Sequence, residues 1–231
     1  MERVSLLSGG AAMALVRAVE PRFREIAGMG IDGTFGAVGA MRAKLADGHP
    51  TDLVILTAAI IDELAEAGIV SRATVADIGD VATAIAVREL DDAPATGSEV
   101  ELRKALLAAD AIFFPDPKLA TAGIHFARVL EKLGIAAAVA GRLKTFPNGA
   151  TAMAALVASG EANPIGCTQV TEIRATPGAK VVAPLPKGFD LNTRYTAAVC
   201  SSAAQADAAA RLVALLTAGE TEAERRRAGF T

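Results

Sequence analysis

Cysteine and histidine are scarce in this 231-residue chain, with two of each. Cys167 and Cys200 lie far apart and fit no metal-ligand spacing. They read as two reduced, half-buried thiols, with a disulfide between them as the alternative. His49 and His125 are too few for a dedicated zinc site, and no metal or other cofactor is expected. The net charge of −3 gives no basic field to draw a nucleic-acid backbone, so no nucleic-acid partner is expected. No apolar run approaches about 18 residues, so no membrane insertion is expected either. A nucleophile elbow, a dinucleotide fingerprint and a phosphate loop with its lysine are all missing.

What is present is an alanine-rich globular composition, 52% hydrophobic and 21% charged, long enough for one large domain or two small ones. Apolar strand candidates fall at Val4–Leu7, Leu53–Thr57, Val81–Val87, Ala111–Phe114, Ile165–Thr168, Lys180–Ala183 and Tyr195–Cys200. Helical patterns occupy 10–27, 38–47, 58–68, 99–109, 122–134, 149–160 and 203–217. Short apolar strands alternating with helices of this length indicate an α/β fold with mainly parallel sheets. Ligands of such sheets bind beyond the C-terminal ends of the strands. The 220–227 run reads as a solvated helix.

Two small-residue turns stand at such strand ends, Ser8-Gly9-Gly10 and Gly33-Thr34-Phe35-Gly36-Ala37-Val38-Gly39. Each feeds a helical pattern. A turn of this kind leaves backbone N–H groups and the positive end of a helix dipole aimed at one place, which attracts an anion. Met1-Glu2-Arg3 leads directly into the first strand, with no basic n-region or apolar leader, so no signal peptide is read. The expectation is a cytoplasmic protein, or a periplasmic one if the chain is a processed mature form restarted with Met.

The polar stretch Asp91-Asp92-Ala93-Pro94-Ala95-Thr96-Gly97-Ser98 reads as a surface loop. It follows Val81–Val87, a strand long enough to pass from one domain to another, and Tyr195–Cys200 is a second such strand.

Several segments then resemble, in order and over essentially the full chain, periplasmic molybdate-binding proteins and their type II solute-binding relatives. They are Leu6-Leu7-Ser8-Gly9-Gly10-Ala11, Gly36-Ala37-Val38-Gly39, Asp52-Leu53-Val54-Ile55-Leu56-Thr57-Ala58, and Asp116-Pro117 with Thr121-Ala122-Gly123-Ile124-His125. Ala158-Ser159-Gly160-Glu161-Ala162, Gly166-Cys167-Thr168-Gln169 and Val182-Ala183-Pro184-Leu185-Pro186 continue the series. The resemblance implies a two-lobed α/β clamshell, each lobe a mainly parallel sheet flanked by helices. Residues 1–82 and 195–231 would form one lobe and 83–194 the other, with the ligand cleft between them. It also implies a small oxyanion held by uncharged donors. Ser8, Gly9 and Gly10 would supply a hydroxyl and N–H groups, and Ala122-Gly123 and Ala150 would supply N–H groups from the second lobe. The second turn carries Ala37 and Val38 where the family usually has serines. Gln169 stands where the family usually has a tyrosine.

Those departures shift the expected ligand away from molybdate and toward an organic acid, since an amide both donates and accepts. Asn148 and Thr151 add an amide and a hydroxyl at a helix start. Ser8, Thr57 and Thr121 read as pocket residues or as ordinary helix caps. Thr34, Gly36 and Thr168 complete the candidate ligand set, and Gln169 is its specificity determinant or else a solvated loop residue. Lys118 reads as solvent-facing. No catalytic residue is assigned; His125, Asp116 and Glu172 are the weak candidates. Two functions remain open. One is a solute-binding protein for a small oxyanion or carboxylate, partnered by a membrane transporter if exported. The other is a cytoplasmic isomerase of an unsaturated polycarboxylate, resembling aconitate isomerase, which is a relative of this family.

Overall fold

The computed structural model describes residues 2–231. They fall into two compact units, one made of residues up to Val81 together with Thr193–Thr231, the other of Ala82–Asn192. In chain order the first part runs β1 (Arg3–Gly9), α1 (Met13–Ala27), β2 (Gly30–Gly36), α2 (Val38–Ala46), β3 (Leu53–Thr57), α3 (Ala58–Glu66) and β4 (Ala76–Arg88). Then come α4 (Glu99–Ala108), β5 (Ala111–Pro115), α5 (Thr121–Lys132), α6 (Ala136–Val139), β6 (Leu143–Phe146), α7 (Gly149–Val157), β7 (Pro164–Gln169), α8 (Val170–Arg174) and β8 (Ala179–Pro184). β9 (Asn192–Val199), α9 (Ala206–Thr217) and α10 (Glu222–Ala228) complete the chain. The passage between units occurs inside β4 and again at the start of β9.

The first unit orders its strands β2-β1-β3-β9. β1 pairs in parallel with β2, from Arg3↔Gly30 to Gly9↔Gly36, and with β3 at Leu6↔Leu53; β9 runs antiparallel to β3. Leu53, Val54, Ile55 and Leu56 are all fully buried, as an unbroken apolar run in a sheet covered on both faces should be. α1 turns Leu15, Val16, Val19 and Phe23 inward and packs on α9 and α10. Opposite it in sequence, Thr231 exchanges both backbone hydrogen bonds with Asp80. That close approach fits Gly79 alone: its φ is +151°, and a Cβ there would stand 2.9 Å from the Thr231 oxygen.

The second unit orders its strands β6-β5-β7-β4, with β8 on the other side of β4. β5 is parallel to both β6 and β7, while β4 runs antiparallel to β7 and β8. Its core joins Ile85, Leu106, Ile112, Phe114, Phe126 and Ile165. Phe126 of α5 meets Phe114 of β5 edge-on, centroids 5.2 Å apart at 67°.

Four elements differ from the sequence expectation. Gly33-Thr34-Phe35-Gly36 is not turn but the end of β2, and the turn is confined to Ala37. Three glycines weaken the strand signal, yet seven consecutive pairs with β1 hold it. Gly33 is also where the Phe35 ring lies, because a Cβ would be 2.6 Å from it. β6 and α8 were absent from the sequence pattern, being only 4 and 5 residues long. The helix expected over 10–27 begins as a 3-10 turn at Gly10–Ala12.

Phe126→Ala should remove a fully buried ring and cost about 3–5 kcal/mol; urea unfolding followed by far-UV circular dichroism measures it, and a loss under about 1 kcal/mol would contradict this packing.

Candidate functional site

Parallel strands deliver their C-terminal ends, and the helix starts that follow, to one edge of a sheet. In the first unit that edge carries Gly9, Gly36 and Thr57, the ends of β1, β2 and β3. None of the helix starts behind them has a side-chain cap: Gly9 before the 3-10 turn, Ala37 before α2, Thr57 before α3. The Thr57 hydroxyl therefore does not serve as a helix cap. Ser8 is fully buried and its hydroxyl donates to the Gly9 carbonyl at 2.9 Å. Gly9 is held by crowding, because a Cβ there would lie 2.8 Å from the Tyr195 ring and 3.1 Å from Val38. Ala37 and Val38 are buried at the start of α2, and a Cβ on Gly36 would stand 2.9 Å from Met41. Thr34 sits two residues inside β2, level with Leu7.

A second polar cluster in this unit had no signal in the sequence. Arg194 of β9 donates to both carboxylate oxygens of Asp80, at 2.9 and 3.0 Å, and lies 3.5 Å from Asp77. The guanidinium holds the Asp80 carboxyl below its ordinary range. Thr196 donates to Asp77 at 2.7 Å. These residues border a cavity of about 420 Å³ with Ala58, Asp62 and Val75. With carboxylates outnumbering the one arginine, it does not suit an anion.

In the second unit the parallel strands β5, β6 and β7 end at Pro115, Phe146 and Gln169, and α5, α7 and α8 begin there. α5 has no side-chain cap at Ala120, so Thr121, Ala122 and Gly123 head it without one. Gly123 is pressed against the Pro115 and Asp116 carbonyl oxygens, where a Cβ would collide. Asp116 accepts the N–H groups of Lys118 at 2.7 Å and Leu119 at 3.0 Å, closing the loop before the helix. His125, one turn in, places Nε2 2.7 Å from the Phe189 carbonyl oxygen. Lys132 of the same helix donates to Gly188 at 2.7 Å and lies over the Phe189 ring. Both side chains thus tether the 186–191 loop to α5.

α7 is arranged differently. Asn148 and Thr151 form a reciprocal capping box, with the Thr151 N–H 2.9 Å from Asn148 Oδ1 and the Asn148 N–H 3.3 Å from Thr151 Oγ1. The backbone N–H groups of Gly149, Ala150 and Gln169 face the buried carboxyl of Glu172 and favour its charged form. The Thr168 hydroxyl donates to it at 2.6 Å. Burial pushes the Glu172 carboxyl above its ordinary range, and these hydrogen bonds oppose the push. A Cβ on Gly149 would overlap Glu172 Oε2 and Thr168 Oγ1. Asn148, Ala150, Thr151 and Thr168 therefore face groups of their own unit.

Gln169 is a buried strand residue, 3% exposed, and not a solvated loop side chain. Directly across the antiparallel ladder is Thr83, 1% exposed. Its hydroxyl has no hydrogen-bond partner among the described residues. The sequence reading passed over it as one threonine in an apolar strand; a polar residue inside Val81–Val87 was the available clue. Cys167 and Cys200 are both free and buried. Burial pushes the Cys167 thiol well up, and burial with the nearby Asp52 charge pushes Cys200 up to about 12. Among the described residues no three of His, Cys, Asp or Glu gather as metal ligands. Among the described residues no helix is long and apolar enough to cross a membrane.

Residues 4–231 match the family described as bacterial extracellular solute-binding protein. The chain is 26% identical over 219 residues to aconitate isomerase of Pseudomonas sp., covering 92% of this chain and 81% of that protein. It superposes on the periplasmic molybdate-binding protein of Azotobacter vinelandii with a TM-score of 0.80 at 14% identity, over 99% of this chain and 98% of that one. With the sulfate-binding protein SubI of Mycobacterium tuberculosis H37Rv the TM-score is 0.73 at 17% identity, over 100% and 86%. These likenesses show an α/β fold of the two-lobed, type II periplasmic-binding-protein class; the sheet is mixed and not mainly parallel, because β4 and β9 run antiparallel to their neighbours.

Neither thiol should react with Ellman's reagent at pH 8 in the native protein, and two should react in denaturant; a native thiol reacting within minutes would contradict the burial of both.

Proposed function

The chain belongs to the bacterial extracellular solute-binding protein family, and on that premise we propose that it captures a small organic carboxylate or oxyanion with helix starts, hydroxyls and amides. The observation that carries this reading is the uncapped state of the helix starts at Gly9, Ala37, Thr57 and Ala120, all at parallel strand ends. Among the described residues only α4 and α7 carry a side-chain cap, from Ser98 and Asn148. α8, α9 and α10 also begin without one, so it is the place of these four starts at parallel strand ends, together with their lack of a cap, that supports the reading. Open N–H groups beside a helix dipole favour an anion. The candidate ligand groups lie, each on its own unit's strand-end edge, at Ser8, Gly9, Gly10, Gly36, Ala37, Val38 and Thr57 in the first unit and at Thr83, Thr121, Ala122, Gly123 and Gln169 in the second. Each hydrogen bond to a charged ligand group contributes about 1.5–3 kcal/mol. An organic acid suits the set better than a tetrahedral dianion. Ala37 and Val38 offer no hydroxyl, while Thr83 and Gln169 can both donate and accept. A receptor of this kind would be exported and hand its ligand to a membrane transporter.

A second reading is supported by the 26% identity to aconitate isomerase. Such an enzyme moves a double bond by removing a proton from one carbon and returning one to another. Asp116, His125 and Glu172 are the groups we would test as the base. Asp116 and His125 are engaged by backbone partners, while the Glu172 carboxyl is pushed above its ordinary range by burial.

A thermal-shift panel of sulfate, molybdate, phosphate, citrate and cis- and trans-aconitate tests both readings. At about 100 times its dissociation constant a ligand stabilises by about 2.7 kcal/mol, a clear shift in melting temperature. Organic acids should give it, and Ser8→Ala and Gln169→Ala should each reduce it. A shift equal in both variants would sink the assigned set, and interconversion of the aconitate isomers would favour the enzyme.

A further inference from the structure

We infer that Glu172 is a specificity determinant: its carboxyl fills the anion-attracting start of α7, so the second unit rejects a second full negative charge on the ligand. The inference rests on the anion-binding reading above and says which anions it excludes.

α7 has nine residues, and its first turn is occupied within the unit. The Glu172 carboxyl lies against Gly149 and faces the Gly149 and Ala150 N–H groups, Thr151 donates to the Asn148 side chain, and Ala152 to the Asn148 carbonyl. An external anion would have to displace the carboxyl to reach them, and a Cβ at Gly149 would already collide with it. Glu172 is 6% exposed, so it is anchored in the fold and not a mobile surface group. The Thr168 hydroxyl and Gln169 N–H complete its shell.

What surrounds the carboxyl is dipolar, not cationic. The elements packed against α8 are α7, β7 and β8. α7 has no titratable side chain; β7 has Cys167, a buried thiol whose proton burial retains. β8 has Lys180, whose Nζ donates to the Asp91 carbonyl at 2.9 Å. On α8 itself the other charged residue is Arg174. Burial and hydrogen bonds account for the displacement of the carboxyl, with no charged partner among the causes.

When Glu172 is ionised, its charge faces N–H groups and a hydroxyl at the strand end where Gln169 and Thr83 also lie. A like charge placed nearby disfavours the ionised form of both groups. A hydroxyl presented to Gln169 avoids that conflict and a monoanion meets less of it; a dianion meets it in full unless Glu172 takes up a proton. Because the ionised form repels and is populated at higher pH, dianion affinity should rise as pH falls.

Isothermal titration of the whole chain with sulfate and with lactate decides this. Neither probe titrates between pH 5 and 8, and two buffers of different ionisation enthalpy count protons. In the native protein sulfate should bind more weakly at pH 8 than at pH 5, with proton uptake. Glu172→Gln should flatten that profile and gain on the order of tenfold in sulfate affinity at pH 8, one pKa unit of coupling, with lactate affected less. If Glu172→Gln does not fold, proton uptake by the native protein still decides. Binding with no proton uptake, or an unchanged sulfate-to-lactate ratio in Glu172→Gln, overturns the inference and leaves the binding reading standing. No binding of any anion, by native protein or variant, overturns both.

Discussion

A helix that begins at the end of a buried strand has N–H groups that must find acceptors, and the rest of this structure turns on how each start meets that demand. The chain gives three answers. α4 uses Ser98, an exposed cap remote from the strand ends that matter. α7 uses Asn148 and the carboxyl of Glu172. The starts at Gly9, Ala37, Thr57 and Ala120 receive no side chain at all. The same requirement is met by side chains at α4 and α7 and left without them at these four strand-end starts.

Small residues make the open starts possible. Gly9 admits the Tyr195 ring, Gly36 admits Met41, and Gly123 lies against two carbonyl oxygens. At Gly123 a methyl group would meet backbone and push the chain away, at Gly9 it would meet the Tyr195 ring, and at Gly36 only the flexible end of Met41 would have to move. Gly149 obeys the same rule for the opposite purpose, since its missing side chain is the space that Glu172 and Thr168 occupy. Glycine at a strand end therefore did not by itself distinguish an open start from a filled one.

The alternation of apolar runs with helical patterns was legible because β1, β3, β5 and β7 are buried on both faces and read as continuous apolar segments. β2 was not, because Gly30, Gly33 and Gly36 hide it; its pairing with β1 is a long-range property. β6 and α8 are too short for periodicity to register. At the site, Ser8-Gly9-Gly10 and the α5 start were visible as small-residue turns before helices. The partnership of Glu172 with Gly149 and Ala150 was invisible, since it spans more than twenty residues and joins two elements. Thr83 was hidden for a related reason: its importance comes from lying opposite Gln169, a fact of strand register.

The chain has no tryptophan and one tyrosine. That tyrosine, Tyr195, is buried with its ring against Gly9 and edge-on to Phe230 at 6.3 Å. Intrinsic fluorescence of this protein is consequently a signal from a single place, the floor of the first glycine turn. A change in that emission reports on Gly9 and its neighbours without a label, a mutation or any competing fluorophore.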